Sequence, residues 1–83
     1  MLVKRMNDPE ATKADIVEVA TRAFGEKGYS GARIDEIAQR TKTSKRMIYY
    51  YFGSKDGLYL EVLLAYYAKL RGAERALNLD DLP

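Results

Sequence analysis

Cysteine and histidine are both missing from the 83-residue chain. Without thiols there can be neither a disulfide framework nor a zinc site built on thiolates, and without imidazoles the usual transition-metal ligands are gone as well. No metal or cofactor is expected. The same absences weigh against catalysis, because proton transfer needs a group that titrates near neutrality. The carboxylates fall on polar helix faces with cations as neighbours, which is the wrong setting for a perturbed acid or base. Gly53-Ser54-Lys55 also lacks the upstream glycine spacing of a phosphate-binding loop. An enzyme is not expected.

Long apolar runs are missing too. No stretch approaches the roughly 20 apolar residues that a membrane span needs, and the opening Met1–Glu10 has too little apolar sequence for a signal peptide. The expected compartment is the cytoplasm, with no membrane partner. Low-complexity tracts, internal repeats and long runs of like charge are likewise absent, so the chain is expected to fold as one small domain with no elaborate cleft.

What is present is a local concentration of positive charge. The net charge is only +2, which says little about partners; its distribution says more, because attraction to phosphate depends on clustering. Arg40, Lys42, Lys45, Arg46 and Lys55 follow one another with no acid until Asp56. Among them stand the short hydroxyl donors Thr43 and Ser44 and the phenols of Tyr49, Tyr50 and Tyr51. Such side chains hydrogen-bond phosphate oxygens and base edges.

The same run reads as a helix. Thr43 or Ser44 is the N-cap, Met47, Ile48, Tyr51 and Phe52 recur at helical intervals, and Gly53 ends it. One face should be buried, while Lys45, Arg46, Tyr49 and Tyr50 should project. A short helix seated on its apolar side and offering cations from its first turn fits a major groove.

The flanking segments supply the seat. From about Pro9, suited to a first helical position, Ile16, Val19, Ala20, Ala23 and Phe24 form one stripe, and Gly28 gives a left-handed stop. Tyr29, just beyond, is expected to fold back on the core. After the Ser30-Gly31 turn a shorter helix places Ile34, Ile37 and Ala38 inward and Asp35, Glu36, Gln39 and Arg40 outward. Only Thr41, Lys42 and Thr43 separate it from the next, too few for antiparallel packing, so the pair should cross steeply as a helix-turn-helix.

Beyond Phe52, Ser54 can cap a last helix and Asp56 suits its positive end. That helix should run to about Leu77 with two apolar rows, one of Leu58, Val62 and Ala65, the other of Tyr59, Leu63, Tyr66 and Leu70. Tyr66 and Tyr67 are expected to pack between domains. A helix apolar on two sides calls for two partners, and the three-helix unit supplies one. The expectation is therefore all-α: a flexible arm over residues 1–10, a helix-turn-helix DNA-binding domain over 11–56, and a connecting helix over 57–83. That helix should lead to a further domain, with a following helix starting near Asp80-Asp81.

These residues resemble the TetR family of bacterial transcriptional repressors. The likeness spans about residues 12 to 63. It rests on Phe24 with Gly28-Tyr29, then Ile37-Ala38, Ser44-Lys45, Tyr49-Tyr50-Tyr51-Phe52, Ser54-Lys55 and Leu58. Each piece is weak, but the ordered set is specific. The resemblance implies a DNA-binding domain of three helices and a fourth helix leading into an all-helical domain. That domain would bind a small molecule, dimerise, and release the DNA when the ligand binds. The partners it implies are a duplex DNA operator, a second copy of the full-length protein, and the small-molecule ligand.

Carried over by position, the family's DNA contacts fall on Ser44, Lys45 and Arg46 at the start of the recognition helix. Tyr49 follows on phosphate and Tyr50 on phosphate or a thymine methyl, and Lys55 is a phosphate clamp, in keeping with the anion preference of helix N-termini. With the neighbouring Lys42, Thr43 and Arg33 these make the candidate DNA-binding set. Three departures stand out. Thr41-Lys42 replaces the common Ala-Gly, so either Lys42 adopts a left-handed conformation or the turn differs. Arg33 stands where relatives often have Thr or Ser, losing a cap hydroxyl and gaining a cation. Arg46-Met47 replaces a frequent Gly-Thr, so base preference cannot be borrowed from a relative. A helical protein-interaction module is the rival reading, separable because phosphate contacts steepen the salt dependence of affinity.

Overall fold

A computed structural model describes residues 8–81, which form four helices: α1 (Pro9–Gly31), α2 (Ile34–Arg40), α3 (Lys45–Phe52) and α4 (Lys55–Asp81). No strand occurs among the described residues. The all-α expectation holds.

Local chemistry sets each boundary. Asp8 caps α1, its carboxylate accepting the Glu10 and Ala11 amides at 3.0 and 3.3 Å, while Pro9 has no amide to satisfy. Pro9 and Glu10 are thus the first turn of α1 rather than the end of an arm; the rest of that segment lies outside the described residues. Gly28 breaks the helix where expected, at φ 75° and ψ 174°, so the residues up to Gly31 form a separate turn. Ser44, rather than Thr43, caps α3 by accepting the Met47 amide at 3.0 Å. Gly53 closes that helix at φ 84°, its amide 2.7 Å from the Tyr49 carbonyl. Ser54 Oγ accepts the Gly57 amide at 3.0 Å in the first turn of α4. The last helix runs past Leu77 to Asp81, so Asp80-Asp81 continues α4 instead of opening another helix.

The link between α2 and α3 is a left-handed helix stop. The Thr43 amide reaches the Ala38 carbonyl at 3.0 Å and the Lys42 amide reaches Gln39 at 3.3 Å, with Lys42 at φ 55°. This paired bonding is the Schellman arrangement, with lysine in the position glycine usually fills. Of the two alternatives open for that turn, the structure takes the first.

Ile16, Ile37, Ile48 and Leu58, one from each helix, are the largest fully buried side chains. Burial of each contributes on the order of 1.5–3 kcal/mol. Around them close Ala20, Ala23 and Phe24 of α1, Ala32 before α2, Ile34 and Ala38 of α2, and Val62 of α4. Tyr29 folds back as expected, stacked on Phe24 at 5.8 Å and edge-on to Tyr59 at 5.1 Å. The outer side of α4 is open: Leu60, and beyond Val62 Leu64, Ala65, Tyr66, Tyr67 and Leu70, are exposed. Ala65 thus does not extend the buried row of Leu58 and Val62, because α1 diverges from α4 and leaves an open groove lined by Val17, Thr21, Leu64 and Tyr66.

Candidate nucleic-acid interface

Helix α3 has 8 residues. Ile48 is its one fully buried residue, with Tyr51 and Phe52 half-buried on the same side. Successive helical residues turn by about 100°, so Arg46 and Tyr50 fall opposite this stripe and Tyr49 at its edge, while Lys45, on the stripe's own side, is exposed where it opens the helix. All four are exposed, Tyr49 at 38% and Tyr50 at 77%. The sequence reading also assigned Met47 to the buried side. That is corrected: Met47 is 37% exposed. An eight-residue helix resting on α2 and α4 covers only a narrow stripe, and Met47 lies on its rim.

The remaining candidates come from the two turns. Ser44 is exposed, and since its oxygen accepts the Met47 amide its hydroxyl proton stays available to an external acceptor. Thr43 is partly buried, whereas Lys42 is exposed and pushed outward by its left-handed backbone. Arg33 precedes α2 and makes no cap hydrogen bond with its side chain, consistent with the lost hydroxyl.

The structure brings Arg33 and Lys45 together through Asp35. One carboxylate oxygen lies 3.4 Å from Lys45 Nζ and the other 3.6 Å from an Arg33 guanidinium nitrogen. The Lys45 hydrogen bond and charge, with Arg33 adding less, hold the Asp35 carboxyl below the usual carboxylate range. Sequence reasoning placed Asp35 outward but gave it no partner. The i, i+2 spacing to Arg33 was visible; the link to Lys45 depends on the turn between helices.

Lys55 opens α4 with its ammonium 4.7 Å from the centroid of the Tyr29 ring. The Tyr29 hydroxyl donates to the neighbouring Asp56. That bond, with desolvation and the Asp56 charge behind it, raises the Tyr29 phenol above its ordinary pKa; Tyr49 adds to the effect. A second link, Lys27 to Glu36 at 2.8 Å, ties the end of α1 to α2 and lowers the Glu36 pKa.

Lys42, Ser44, Lys45, Arg46, Tyr49 and Tyr50 thus lie exposed on α3 and the turn before it, with Arg33 joined to Lys45 and Lys55 held by Tyr29. Among the described residues no group of histidine, cysteine or acidic side chains is arranged to hold a metal, and no helix is long and apolar enough to cross a membrane.

Residues 16–62 match the sequence profile of the bacterial regulatory proteins of the tetR family. The chain belongs to that family. The match covers α2, α3 and the packed part of α1 and α4, which form the tetR family's amino-terminal helix-turn-helix domain. Over 76 residues the chain is 41% identical to the HTH-type transcriptional repressor NicS of Pseudomonas putida, covering 92% of this chain and 36% of that protein. It is 50% identical over 56 residues to the repressor SCO4008 of Streptomyces coelicolor, covering 68% of the chain and 29% of the relative. A crystal structure of an HlyIIR mutant superposes with a TM-score of 0.66 at 44% identity, over 69% of this chain and 31% of the other. The chain therefore spans about a third of the length of these tetR relatives. The family is one of bacterial regulatory proteins, and NicS and SCO4008 are both named as HTH-type transcriptional repressors.

Proposed function

We propose that the chain reads duplex DNA in a sequence-specific manner, with α3 entering the major groove, as the DNA-binding part of a repressor that a small-molecule inducer releases from an inverted-repeat operator. The observation that carries the reading is the two-sided character of α3, seated by Ile48 and exposing Lys45, Arg46, Tyr49 and Tyr50 together. Arg46 is assigned to guanine N7 and O6, which its planar fork matches in a bidentate contact, and Lys45 to an adjacent base edge. Met47, soft and exposed beside them, suits a thymine methyl. Ser44, Tyr49, Tyr50, Lys42, Thr43, Arg33 and Lys55 are assigned to the sugar-phosphate backbone, with Tyr50 also within the range of side chains that meet a thymine methyl.

One such unit spans only a few base pairs, so specificity requires two units on a repeat. The exposed apolar side of α4, with Leu60, Leu64, Tyr66 and Tyr67, supports a covering domain that would dimerise and bind the inducer. The 83 residues by themselves should be largely monomeric and bind DNA weakly.

The deciding experiment is selection of bound duplexes from a random pool with the full-length protein, followed by Arg46→Ala. On the selected site the loss should be about 1–3 kcal/mol, with relaxed base preference. Equal loss on selected and random DNA removes the base-reading role. Affinity that does not respond to potassium chloride removes the DNA reading altogether.

A further inference from the structure

The first turn of α2 places an acid among the cations assigned to DNA. Asp35 holds Lys45 with one carboxylate oxygen and Arg33 with the other, at 3.4 and 3.6 Å. All three side chains are more than half exposed, at 55% for Asp35, 57% for Lys45 and 68% for Arg33. The pairs therefore do not serve to bury charge. Among the described residues the other ion pairs lie elsewhere: Lys13–Glu10 and Arg22–Glu18 are internal to α1, and Lys27–Glu36 joins α1 to α2. Only the Asp35 pairs engage residues of the candidate interface. A carboxylate that spans two cations presents to them what a phosphate would present, two anionic oxygens on one centre.

Resting on the DNA-reading assignment of α3, we propose that Asp35 is a specificity-determining residue, a built-in competitor that keeps Lys45 and Arg33 from indiscriminate contact with DNA phosphates. A lysine ammonium has three N–H donors, so Lys45 can stay on Asp35 and still direct the others at a base edge in the groove. To grip a phosphate instead, it must leave the carboxylate, and the arriving phosphate meets the negative charge of Asp35. Backbone-only complexes on random sequence bear this cost in full. A complex that reads bases through Lys45 and Arg46 bears only the share that falls on Arg33.

The consequence is visible in salt dependence. Each phosphate neutralised by a protein cation contributes about 0.9 to the slope of log affinity against log salt. Holding Lys45 and Arg33 on an internal carboxylate lowers the number of phosphates they neutralise on random DNA.

The test compares the intact protein with its Asp35→Asn, Asp35→Glu and Glu36→Gln variants, each on the selected site and on random duplex across a salt series. Asp35→Asn should raise random-DNA affinity roughly two- to fivefold, the range of exposed ion pairs. It should also steepen the random-DNA slope by up to about 1.8, about 0.9 for each of the two released cations. Affinity for the selected site should rise less, since only Arg33 is released onto phosphate there, so the specificity ratio falls. Asp35→Glu, which keeps the charge, should restore the ratio, and Glu36→Gln should leave it alone.

In an Arg33→Gln, Lys45→Gln background the effect of Asp35→Asn should vanish, because no captive cation remains to be released. The proposal is overturned if Asp35→Asn strengthens both duplexes equally, if Glu36→Gln does the same, or if the effect survives in the doubly substituted background. If Lys45→Gln and Arg46→Ala also leave DNA preference untouched, the interface itself has been misassigned. If they weaken it while Asp35→Asn changes nothing, only the competitor role is lost.

Discussion

The ammonium of Lys55 sits 4.7 Å from the centre of the Tyr29 ring, while the hydroxyl of that same tyrosine donates to Asp56. One side chain, placed just after the Gly28 stop of α1, thus holds the first two residues of α4. Tyr29 is itself held, stacked on Phe24 and edge-on to Tyr59. The route from sequence to interface is short here: a glycine ends a helix, the next residue turns back onto the core, and its outer face becomes the platform for a cation assigned to phosphate.

Replacing Tyr29 with leucine keeps apolar volume but removes the ring face and the hydroxyl. An exposed cation–π contact contributes about 0.5–1 kcal/mol. Tyr29→Leu should therefore weaken binding to selected and random duplexes alike, by roughly two- to fivefold through Lys55. With Lys55→Ala already present, Tyr29→Leu should add little. Equilibrium binding of the four proteins in a double-mutant cycle checks this, and fully additive losses would separate Tyr29 from the clamp.

Ser44 has two assignments, and they can be pulled apart. Its oxygen accepts the Met47 amide at 3.0 Å, which caps a helix of 8 residues that has few other means of fixing its start. Ser44→Ala should lower stability by about 1 kcal/mol, measured by urea unfolding. Ser44→Thr should keep both the cap and a hydroxyl for phosphate. Full DNA affinity in Ser44→Ala, measured where the protein is folded, would confine Ser44 to the cap.

Local signals carried most of the fold. Gly28, Gly53, Ser44 and Ser54 act within a few residues of their own positions, so their roles were legible in the sequence, as was the buried stripe of Ile16, Ala20, Ala23 and Phe24. Met47 was misplaced because helical period fixes which residues share a side, not how wide a stripe the neighbours cover. Asp8 was passed over because it lay in a stretch without periodicity, although the Asp-Pro pair is itself a start signal. The exposed positions of Arg46, Tyr49 and Tyr50 followed from the period of α3, and that of Lys45 from its place at the helix start. The partnerships of Asp35 with Lys45 and of Tyr29 with Lys55 did not, since both join residues on different helices or turns whose relative placement only the folded chain defines.

The turn before α3 carries a built-in cost. Lys42 occupies a left-handed position at φ 55°, a conformation that disfavours a residue with a Cβ by about 1–2 kcal/mol. Lys42→Gly removes that strain but adds flexibility to the unfolded chain, about 0.5–1 kcal/mol in the opposite direction. The net expectation is a gain of up to about 1.5 kcal/mol in urea unfolding. Lys42→Val, β-branched at the same φ, should be less stable than the parent chain. If Lys42 also meets phosphate, Lys42→Gly should lower affinity equally for all duplexes despite its greater stability. A stability loss in Lys42→Gly would contradict the strained turn.

Stability should fall at both ends of the pH scale, for opposite reasons. Glu36 and Asp35 have folded pKa values depressed chiefly by Lys27 and Lys45 respectively. A depressed acid contributes stability that is present above its unfolded pKa, near 4, and disappears as pH falls through the lower folded value. Tyr29 is raised, chiefly by its bond to Asp56. Its contribution is present below the unfolded phenol pKa, near 10, and disappears as pH rises through the higher folded value, when a phenolate would face the Asp56 carboxylate. Urea midpoints measured from acid to alkaline pH should show both limbs. Glu36→Gln should flatten the acid limb and Tyr29→Phe the alkaline one. In an absorbance titration, Tyr29→Phe should remove a phenol that ionises above the ordinary tyrosine value; loss of one that ionises at or below that value would contradict the Tyr29–Asp56 bond.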